Sequence, residues 1–184
     1  SISSVTASVE AGKRFADSVG CLKAAEVIAR PHPEIYKFLN LENKELFNYL
    51  TQVYIWWIEY AGVDGLRVDT YPYNDIHLAA QFIQRLRDEY PTMNIVGECW
   101  VKTPLEVAYY QSGNNNKDGF DSRLPSVMDF LLKDHLQAAF NEQDSWDFGT
   151  ARFYAHYAQD FAYADVNNVM NFLDNHDIDR FSVA

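Results

Sequence analysis

The sequence predicts an α/β protein built on a parallel β-sheet, and three observations support this prediction. Helix-like and strand-like apolar patterns alternate along the chain with short connections, which is typical of βαβ units. The predicted strands recur at a regular interval, since Asp69 and Glu98 are 29 residues apart and Glu98 and Val127 are again 29 residues apart. Acidic residues stand at the carboxyl ends of the predicted strands, where parallel α/β folds build their sites.

The first predicted element is an amphipathic helix over residues 44–60. Its apolar residues follow the i, i+3, i+4, i+7 spacing of one helix face, at Leu46, Tyr49, Leu50, Val53, Trp56, Trp57 and Tyr60. Gly62 can end this helix because glycine readily adopts the left-handed conformation of a helix cap. Residues 65–69 then form the first predicted strand, and residues 76–90 form a second helix that Pro91 stops.

The rest of the chain continues the same alternation. The predicted elements are a strand over residues 94–100, a helix beginning near Thr103 and Pro104, a loop over residues 114–119, a short strand within residues 125–132, a helix through Phe140, an irregular or helical region over residues 141–165 and a strand over residues 169–173. Residues 1–38 combine a weak helical pattern with a stiff Pro-His-Pro break and predict no chemistry. We therefore leave residues 1–38 as an unassigned N-terminal segment.

The composition excludes several classes of partner. The 184 residues include 26 acidic and 15 basic side chains, which gives a net charge of −11 and a pI near 4.7. Binding to phosphate needs clustered Lys and Arg, so neither nucleic acid nor an anionic membrane surface is expected as a partner. The longest apolar stretch, Val53–Val63, is interrupted by Glu59 and is too short to span a bilayer. Cys21 and Cys99 are equally compatible with one disulfide and with two free thiols. No signal peptide is predicted, and neither the compartment nor the oligomeric state is indicated.

Arg67 and Asp69 lie on one face of the first predicted strand. Side chains alternate along a strand, so Leu66 and Val68 point to the opposite face. Charged residues on the inner face, with apolar residues directed toward outer helices, are typical of a barrel strand. The alternative interpretation is an ion pair that only lines the core.

Two further polar groups follow later strands. Glu98 lies beside Trp100, and an apolar neighbour disfavours the ionised form of a carboxyl group, which suits a general acid. A helix start is the alternative interpretation of Glu98. Residues 174–177 (DNHD) are compatible with a capped turn, a metal site or a ligand clamp formed by His176 and Asp177. The other histidines are expected at the surface or in packing positions: His32, His77, His135 and His156.

Taken together, these segments resemble the α-amylase superfamily of glycoside hydrolases (family 13). Residues 65–69 (GLRVD) are similar to the motif of that family's fourth barrel strand, residues 96–100 (VGECW) to that of the fifth, and residues 172–177 (FLDNHD) to that of the seventh. Each motif alone is weak evidence, whereas all three in order with barrel-like spacing are highly specific. Residues 56–60 and 64–73 resemble the neopullulanase and cyclomaltodextrinase branch most.

The resemblance implies a fold and an activity. Residues 39–184 would form part of a (β/α)8 TIM barrel, about strands 4 to 7. Because a whole barrel needs roughly 250 residues, we expect this chain to be a fragment of a longer enzyme. The implied reaction is hydrolysis of α-glucosidic bonds in starch-derived α-glucans such as pullulan, cyclodextrins and maltooligosaccharides, with retention of anomeric configuration.

The resemblance also implies three catalytic residues. Asp69 would be the nucleophile, Glu98 the general acid/base and Asp177 the stabiliser of the transition state. In a retaining enzyme the nucleophile and the acid lie about 5–5.5 Å apart, and adjacent barrel strands can provide that separation.

Four other residues would bind or orient the sugar under the same resemblance. Arg67 would keep Asp69 ionised and oriented, and His176 would donate hydrogen bonds to sugar hydroxyls. Trp100 and Tyr71 are candidate platforms for sugar stacking. Most of the aromatic residues, which make up 15% of the chain, are better explained by a packed core.

The sequence departs from the family pattern at several places, and two of these departures concern residues that bind sugar or metal. Relatives carry a third-strand motif with an Asp and an Asn-His pair, which helps bind the sugar and often calcium, but the one Asn-His pair in this chain is Asn175-His176. Asp69 is also not followed by a Lys-His pair. We therefore predict no metal ligands and no cofactor in this chain, and calcium stays open for the parent enzyme. A non-catalytic glucan-binding or protein-interaction relative and an unrelated metal-dependent barrel enzyme are the alternatives.

Overall fold

The computed structural model describes residues 42–181 together with Arg14. The chain divides into two compact units, residues 1–46 and 47–184, and nearly all of the described residues belong to the second unit. The predicted boundary between residues 38 and 39 lies outside the described residues and stays a prediction. Cys21 and His32 also lie outside them.

Helices and strands alternate through the described part of the chain, as predicted. The elements are α1 (Lys44–Ala61), β1 (Gly65–Val68), α2 (Ile76–Glu89), β2 (Asn94–Gly97), α3 (Pro104–Tyr109), β3 (Ser126–Met128), α4 (Phe130–Asn141), α5 (Thr150–Tyr157) and β4 (Val169–Met170). Short 3-10 turns cover Tyr71–Tyr73, Asp160–Ala162 and Val166–Asn168. None of the helices within residues 42–181 has the length and apolar character needed to cross a membrane.

The four strands form one parallel sheet in chain order, β1-β2-β3-β4. A helix-containing connection separates each strand from the next, which is the geometry that parallel pairing requires. Val68, the last residue of β1, pairs with Gly97, the last residue of β2. The residues that follow, Asp69 and Glu98, therefore leave the sheet side by side at the same edge.

Side-chain caps fix where the helices begin. Asp75 accepts hydrogen bonds from the backbone N–H groups of His77 and Leu78 at the start of α2. Thr103 accepts from the N–H of Glu106 at the start of α3, and the Glu106 carboxylate accepts from the N–H of Lys102 in return. Each cap satisfies donors that the first helical turn leaves unpaired.

The core lies between the sheet and helices α2 and α3. Its fully buried members include Ile83 and Leu86 of α2, Ile95 of β2, Val107 of α3 and Val127 of β3. Leu66 and Val68 are half-buried and pack against this cluster. The predicted alternation along the first strand is confirmed, because these two residues face the core and Arg67 does not.

Two strands are shorter than predicted. β2 ends at Gly97, and the chain turns shortly after it, where the N–H of Val101 donates to the carbonyl of Cys99 at 3.0 Å. β4 contains only Val169 and Met170. Its predicted extension to residue 173 is wrong, since the neighbouring strand β3 gives way to helix α4 and offers no further partner.

The predicted range of α1 is confirmed, but the apolar stripe in it is not the face that the structure buries. Phe47, Thr51 and Ile58 are buried, whereas Trp56 and Tyr60 are exposed and stack on each other with ring centroids 4.7 Å apart. Thr51 can be buried because its hydroxyl donates a hydrogen bond to the carbonyl of Phe47 at 2.8 Å. Because Thr51 is polar, it interrupts the apolar pattern of the buried face, and the apolar spacing therefore predicts a different face.

Candidate active site

The carboxyl ends of β1 and β2 bring Asp69 and Glu98 together around Arg67. The guanidinium of Arg67 contacts both acids: Nη1 lies 3.2 Å from Asp69 Oδ1, and Nη2 lies 2.5 Å from Glu98 Oε1. The same Nη2 lies 3.7 Å from Oδ2 of Asp177, which comes from the loop after β4. One cation thus joins the three acids that sequence analysis singled out.

Glu98 is the most enclosed of the three carboxyl groups, with a relative exposure of 4%. Its second oxygen, Oε2, accepts a hydrogen bond from the backbone N–H of Thr70 at 2.8 Å. Thr70 has a left-handed backbone conformation (φ 46°, ψ 40°), which is uncommon for a β-branched residue. Sequence analysis missed Thr70, because a backbone donor leaves no signal in the residue type.

The carboxyl groups of Asp69 and Glu98 hydrogen-bond each other, and their pKa values move in opposite directions. The hydrogen bond with Glu98 is the main cause that lowers the pKa of Asp69, and the charge of Arg67 lowers it further. Burial is the main cause that raises the pKa of Glu98, and the hydrogen bond with Asp69 adds to that effect. Of the two carboxyl groups, Glu98 therefore binds a proton more readily and Asp69 ionises more readily.

A cavity of about 190 Å³ opens at these acids. It is lined by Asp69, Thr70, Tyr73, Glu98, Trp100 and Asp177. Trp100 and Tyr73 keep 47% and 77% of their surface exposed, so both rings are accessible to a ligand. Sequence analysis named Trp100 but missed Tyr73. Tyr73 lies in a Tyr-Pro-Tyr turn, and residue type alone does not show which tyrosine of such a turn packs inward and which is exposed.

The prediction that Tyr71 is a sugar-stacking platform is wrong. The ring of Tyr71 is fully buried, and its hydroxyl donates a hydrogen bond to the carbonyl of Ser122 at 3.2 Å. Tyr71 opens the 3-10 turn after Asp69 and Thr70, and this turn directs its ring into the core against Tyr110. Tyr73, two residues later, leaves the same turn on the solvent side.

The loop after β4 supplies His176 and Asp177. Nε2 of His176 lies 3.3 Å from Oδ2 of Asp177, and the His176 side chain is largely exposed. The N–H of Asp177 donates to Oδ1 of Asn175 at 2.9 Å, which orients this turn toward Arg67. Arg180 pairs with Asp174 at 2.6 Å and closes the same loop.

A family model described as "Alpha amylase, catalytic domain" matches residues 34–184. The chain belongs to the α-amylase family. The catalytic domain of this family is a (β/α)8 barrel, and the four parallel strands with their helices are part of that fold, as predicted.

Curated members of the α-amylase family cover most of this chain. The cyclomaltodextrin glucanotransferase of Geobacillus stearothermophilus is 30% identical over 146 residues, which is 79% of this chain and 19% of the relative. Alpha-amylase 2 of Dictyoglomus thermophilum is 28% identical over 144 residues, which is 78% of this chain and 23% of the relative. The chain thus spans about a fifth of the length of the curated relatives that it matches.

Solved α-amylases have the same arrangement of elements. The crystal structure of an Anoxybacillus α-amylase superimposes with a TM-score of 0.63 at 26% identity, covering 78% of this chain and 29% of that one. The α-amylase of Geobacillus thermoleovorans, complexed with acarbose, superimposes with a TM-score of 0.64 at 23% identity, covering 78% of this chain and 30% of that one. The likeness to the second structure supports the fold alone.

Residues 42–181 of this α-amylase-family chain contain neither a metal-ligand cluster nor a reactive thiol. No group of three or more His, Cys, Asp or Glu side chains in that part of the chain is arranged to hold a metal ion. Cys99 is a free, buried thiol, and burial raises its pKa well above the usual range. A thiol held protonated in this way does not act as a nucleophile.

Sequence analysis missed a second cluster of polar side chains, which is buried and centred on Asp129. Asp129 directly follows β3, is 1% exposed and lies 2.8 Å from Nε2 of His156, which is 2% exposed. The hydroxyl of Tyr163 donates to the same carboxylate at 3.2 Å. Burial by itself would raise the pKa of Asp129, but the hydrogen bonds from His156 and its other donors lower that pKa overall. An aspartate before a helix is an ordinary cap in sequence, so nothing marked this cluster.

Proposed function

We propose that this chain is the central part of a retaining glycoside hydrolase that acts on α-glucans. The observation that supports the proposal is the division of roles within one carboxyl pair. Both acids contact Arg67 beside an open cavity, and the opposite shifts of their pKa values favour an ionised Asp69 and a protonated Glu98. Pairs of acids whose pKa values are moved apart are typical of enzymes that need one acid and one base at the same pH.

In the proposed first step, the Asp69 carboxylate attacks the anomeric carbon of the sugar. The bond from that carbon to the glycosidic oxygen breaks, and the Glu98 proton passes to the departing oxygen. The products of this step are a glycosyl ester on Asp69 and a released sugar with a free hydroxyl group.

In the proposed second step, Glu98 is a carboxylate and takes a proton from water as the water oxygen attacks the same carbon. The ester bond to Asp69 breaks and Glu98 is protonated again. Two displacements restore the original configuration, so the product is an α-anomer. Asp177, 3.7 Å from Arg67, would stabilise the positive charge that develops on the sugar ring. His176 and Trp100 would bind hydroxyls and one sugar face.

The substrates that we propose are pullulan, cyclodextrins and maltooligosaccharides, as in the neopullulanase and cyclomaltodextrinase branch. Residues 56–60 and 64–73 support this branch. The names of curated relatives, which include cyclomaltodextrin glucanotransferases and α-amylases, support α-glucans more broadly. A transferase would deliver the glycosyl group from Asp69 to a sugar hydroxyl instead of water, so product analysis distinguishes the two reactions.

We also propose that residues 39–184 are one section of a catalytic barrel in a longer polypeptide. Two observations support this proposal: the described sheet has four strands where a whole barrel has eight, and the match covers about a fifth of each curated relative's length. The test compares the complete gene product with the isolated 184-residue chain on the three substrates, with acarbose as an inhibitor. Turnover by the complete product alone is expected. Comparable turnover by the isolated chain would refute the proposed dependence on further barrel strands.

The same assay tests the activity itself. Hydrolysis products are separated by chromatography, and proton NMR of the first product identifies its anomeric configuration. An α-anomer is expected. A β-anomer would overturn the retaining mechanism, and tight cyclodextrin binding without any hydrolysis or transfer would favour the non-catalytic alternative.

A further inference from the structure

Asp129, His156 and Tyr163 form a buried polar network behind the candidate active site. The Asp129 carboxylate accepts three hydrogen bonds: from the N–H of Leu132 at 2.9 Å, from Nε2 of His156 at 2.8 Å and from the Tyr163 hydroxyl at 3.2 Å. All three side chains of the network are 8% exposed or less. A carboxylate is costly to bury unless its oxygens are paired, so these partners determine where Asp129 lies.

The network fixes the position of a phenylalanine. Asp129 is the N-cap of α4, and Phe130 is the first residue of that helix. The Phe130 ring is 2% exposed and packs edge-on against Phe172, with ring centroids 4.8 Å apart. Because the cap sets both the start and the direction of α4, it also sets the position of the Phe130 ring.

Phe130 in turn supports Trp100. The two rings are stacked, with centroids 4.5 Å apart and an interplanar angle of 12°. Trp100 lines the cavity together with Asp69 and Glu98. A contiguous set of contacts therefore leads from the buried Asp129 carboxylate to an aromatic wall of the candidate active site.

We propose that Asp129 is a positioning residue for the sugar-binding wall: held by His156 and Tyr163, it sets the orientation of Trp100 through Phe130 and so controls how tightly an α-glucan binds beside Glu98. This inference rests on the proposed function for its substrate. The network itself touches no residue that we place in bond cleavage.

The donor and acceptor pattern of the network explains why an aspartate is needed. An ionised carboxylate only accepts hydrogen bonds, so it selects the tautomer of His156 that carries its proton on Nε2. Nδ1 of His156 is buried and has no hydrogen-bond partner among the described residues. An asparagine at position 129 could still cap α4 through its carbonyl oxygen, but its amide N–H groups would then face the N–H of His156, and the Tyr163 hydroxyl would have to accept a hydrogen bond instead of donating one.

The test uses the complete gene product and four variants. Asp129→Asn and His156→Leu remove the hydrogen bond between the Asp129 carboxylate and Nε2 of His156. His156→Gln restores a donor near the position of Nε2. Tyr163→Phe removes only the hydroxyl group that donates to Asp129. For Asp129→Asn and His156→Leu we expect KM to rise roughly twofold to tenfold, the range that loss of one aromatic stacking contact gives, with a smaller change in kcat. His156→Gln should recover most of the native KM.

A second background separates positioning from general loss of stability. If Asp129 acts through Trp100, Asp129→Asn should raise KM in the native background and leave it unchanged in a Trp100→Ala background. Equal factors in both backgrounds would overturn the proposal. Unchanged KM in folded Asp129→Asn and Tyr163→Phe variants would overturn it as well.

A substrate-free measurement keeps this inference independent of the proposed function. The indole N–H resonance of Trp100, assigned by its absence in Trp100→Phe, should shift in Asp129→Asn and return toward its native position in His156→Gln. An unmoved resonance would reject the positioning role even in an active enzyme. A shifted resonance in a protein without glucan hydrolysis would support the positioning of Trp100 and reject the proposed function alone.

Discussion

Nη2 of Arg67 lies 2.5 Å from Oε1 of Glu98, yet the pKa of Glu98 is raised above its ordinary value. A cation at this distance favours the ionised carboxylate, and the N–H of Thr70 favours it too. Burial and the hydrogen bond with Asp69 outweigh both effects and raise the pKa of Glu98. The charge of Arg67 lowers the pKa values of both acids, but only the pKa of Asp69 is lowered overall.

The roles proposed for the pair predict what isosteric amide substitutions will do. Glu98→Gln removes the transferable proton, so we expect kcat to fall roughly 10²- to 10⁴-fold, the contribution of a general acid. Asp69→Asn removes the attacking carboxylate and should reduce hydrolysis by at least a similar factor. Initial rates of the complete enzyme on maltooligosaccharides measure both effects.

Two matched controls come from helix α2. Asp88 and Glu89 are exposed and lie away from the cavity, so Asp88→Asn and Glu89→Gln make the same chemical changes at the surface. Both should leave kcat within a factor of about two, as surface substitutions usually do. Undiminished hydrolysis in Asp69→Asn and Glu98→Gln would remove the catalytic assignment.

The opposite shifts of the two pKa values predict the pH profile of kcat/KM. The active form has Asp69 ionised and Glu98 protonated. Because the pKa of Asp69 is lowered, activity should persist below the ordinary range of an aspartate. Because the pKa of Glu98 is raised, activity should persist above the ordinary range of a glutamate and fall as Glu98 ionises. We therefore expect a bell-shaped profile whose pH range is wider than that of two carboxyl groups with ordinary pKa values.

Arg67→Gln tests the electrostatic cause of this profile. The charge of Arg67 lowers the pKa of Asp69 and also lowers that of Glu98, so its removal should raise both. Both limbs of the profile should then move toward higher pH. Limbs that stay in place, or that move in opposite directions, would contradict this electrostatic role of Arg67.

Sequence patterns predicted the parts of this molecule that depend on local periodicity and on strand order. Asp69 and Glu98 were found because each follows a short apolar strand, and parallel pairing brings such residues to one edge. The Asp129–His156 contact was not found, since it joins residues 27 positions apart and uses an aspartate that looks like any helix cap. Long-range polar pairing has no periodic signature.

Tyr71 and Tyr73 show a second reason for failure. Both are aromatic residues just after a strand-end acid, and residue type alone does not distinguish them. The difference arises from the left-handed conformation of Thr70, which starts a 3-10 turn and sends Tyr71 inward and Tyr73 outward. Sequence patterns do not resolve turn geometry at that level.

The exposed ring of Trp100 and the buried ring of Tyr71 predict different effects on binding and on stability. Trp100→Ala should raise KM for maltooligosaccharides roughly twofold to tenfold, the effect of losing one stacking contact. Tyr71→Phe should leave KM unchanged and lower the free energy of unfolding by about 1–3 kcal/mol, since the buried carbonyl of Ser122 loses its donor. Kinetics and chemical denaturation measure the two effects, and a raised KM in Tyr71→Phe would show that this ring contributes to sugar binding after all.

Gly97 lies where the core leaves no room for a side chain beside the candidate site. It ends β2 directly before Glu98, and a Cβ atom there would lie 2.5 Å from Cδ1 of Leu124 and 3.4 Å from Cβ of Tyr71. Leu124 and Tyr71 are fully buried, so neither can move away without disturbing its own neighbours. Gly97→Ala should therefore lower the free energy of unfolding by about 1–3 kcal/mol, the usual cost of overpacking.

Leu124→Val supplies the control, because it removes the methyl group that an added Cβ would meet. On its own it should cost about 0.5–1.5 kcal/mol as a cavity-forming change. Combined with Gly97→Ala it should cost less than the two single changes together, since the shorter side chain relieves the overlap. Chemical denaturation of the four proteins measures this coupling. If the two changes in the free energy of unfolding simply add, Gly97 is required for the backbone conformation before Glu98 and not because a Cβ atom would overlap Leu124.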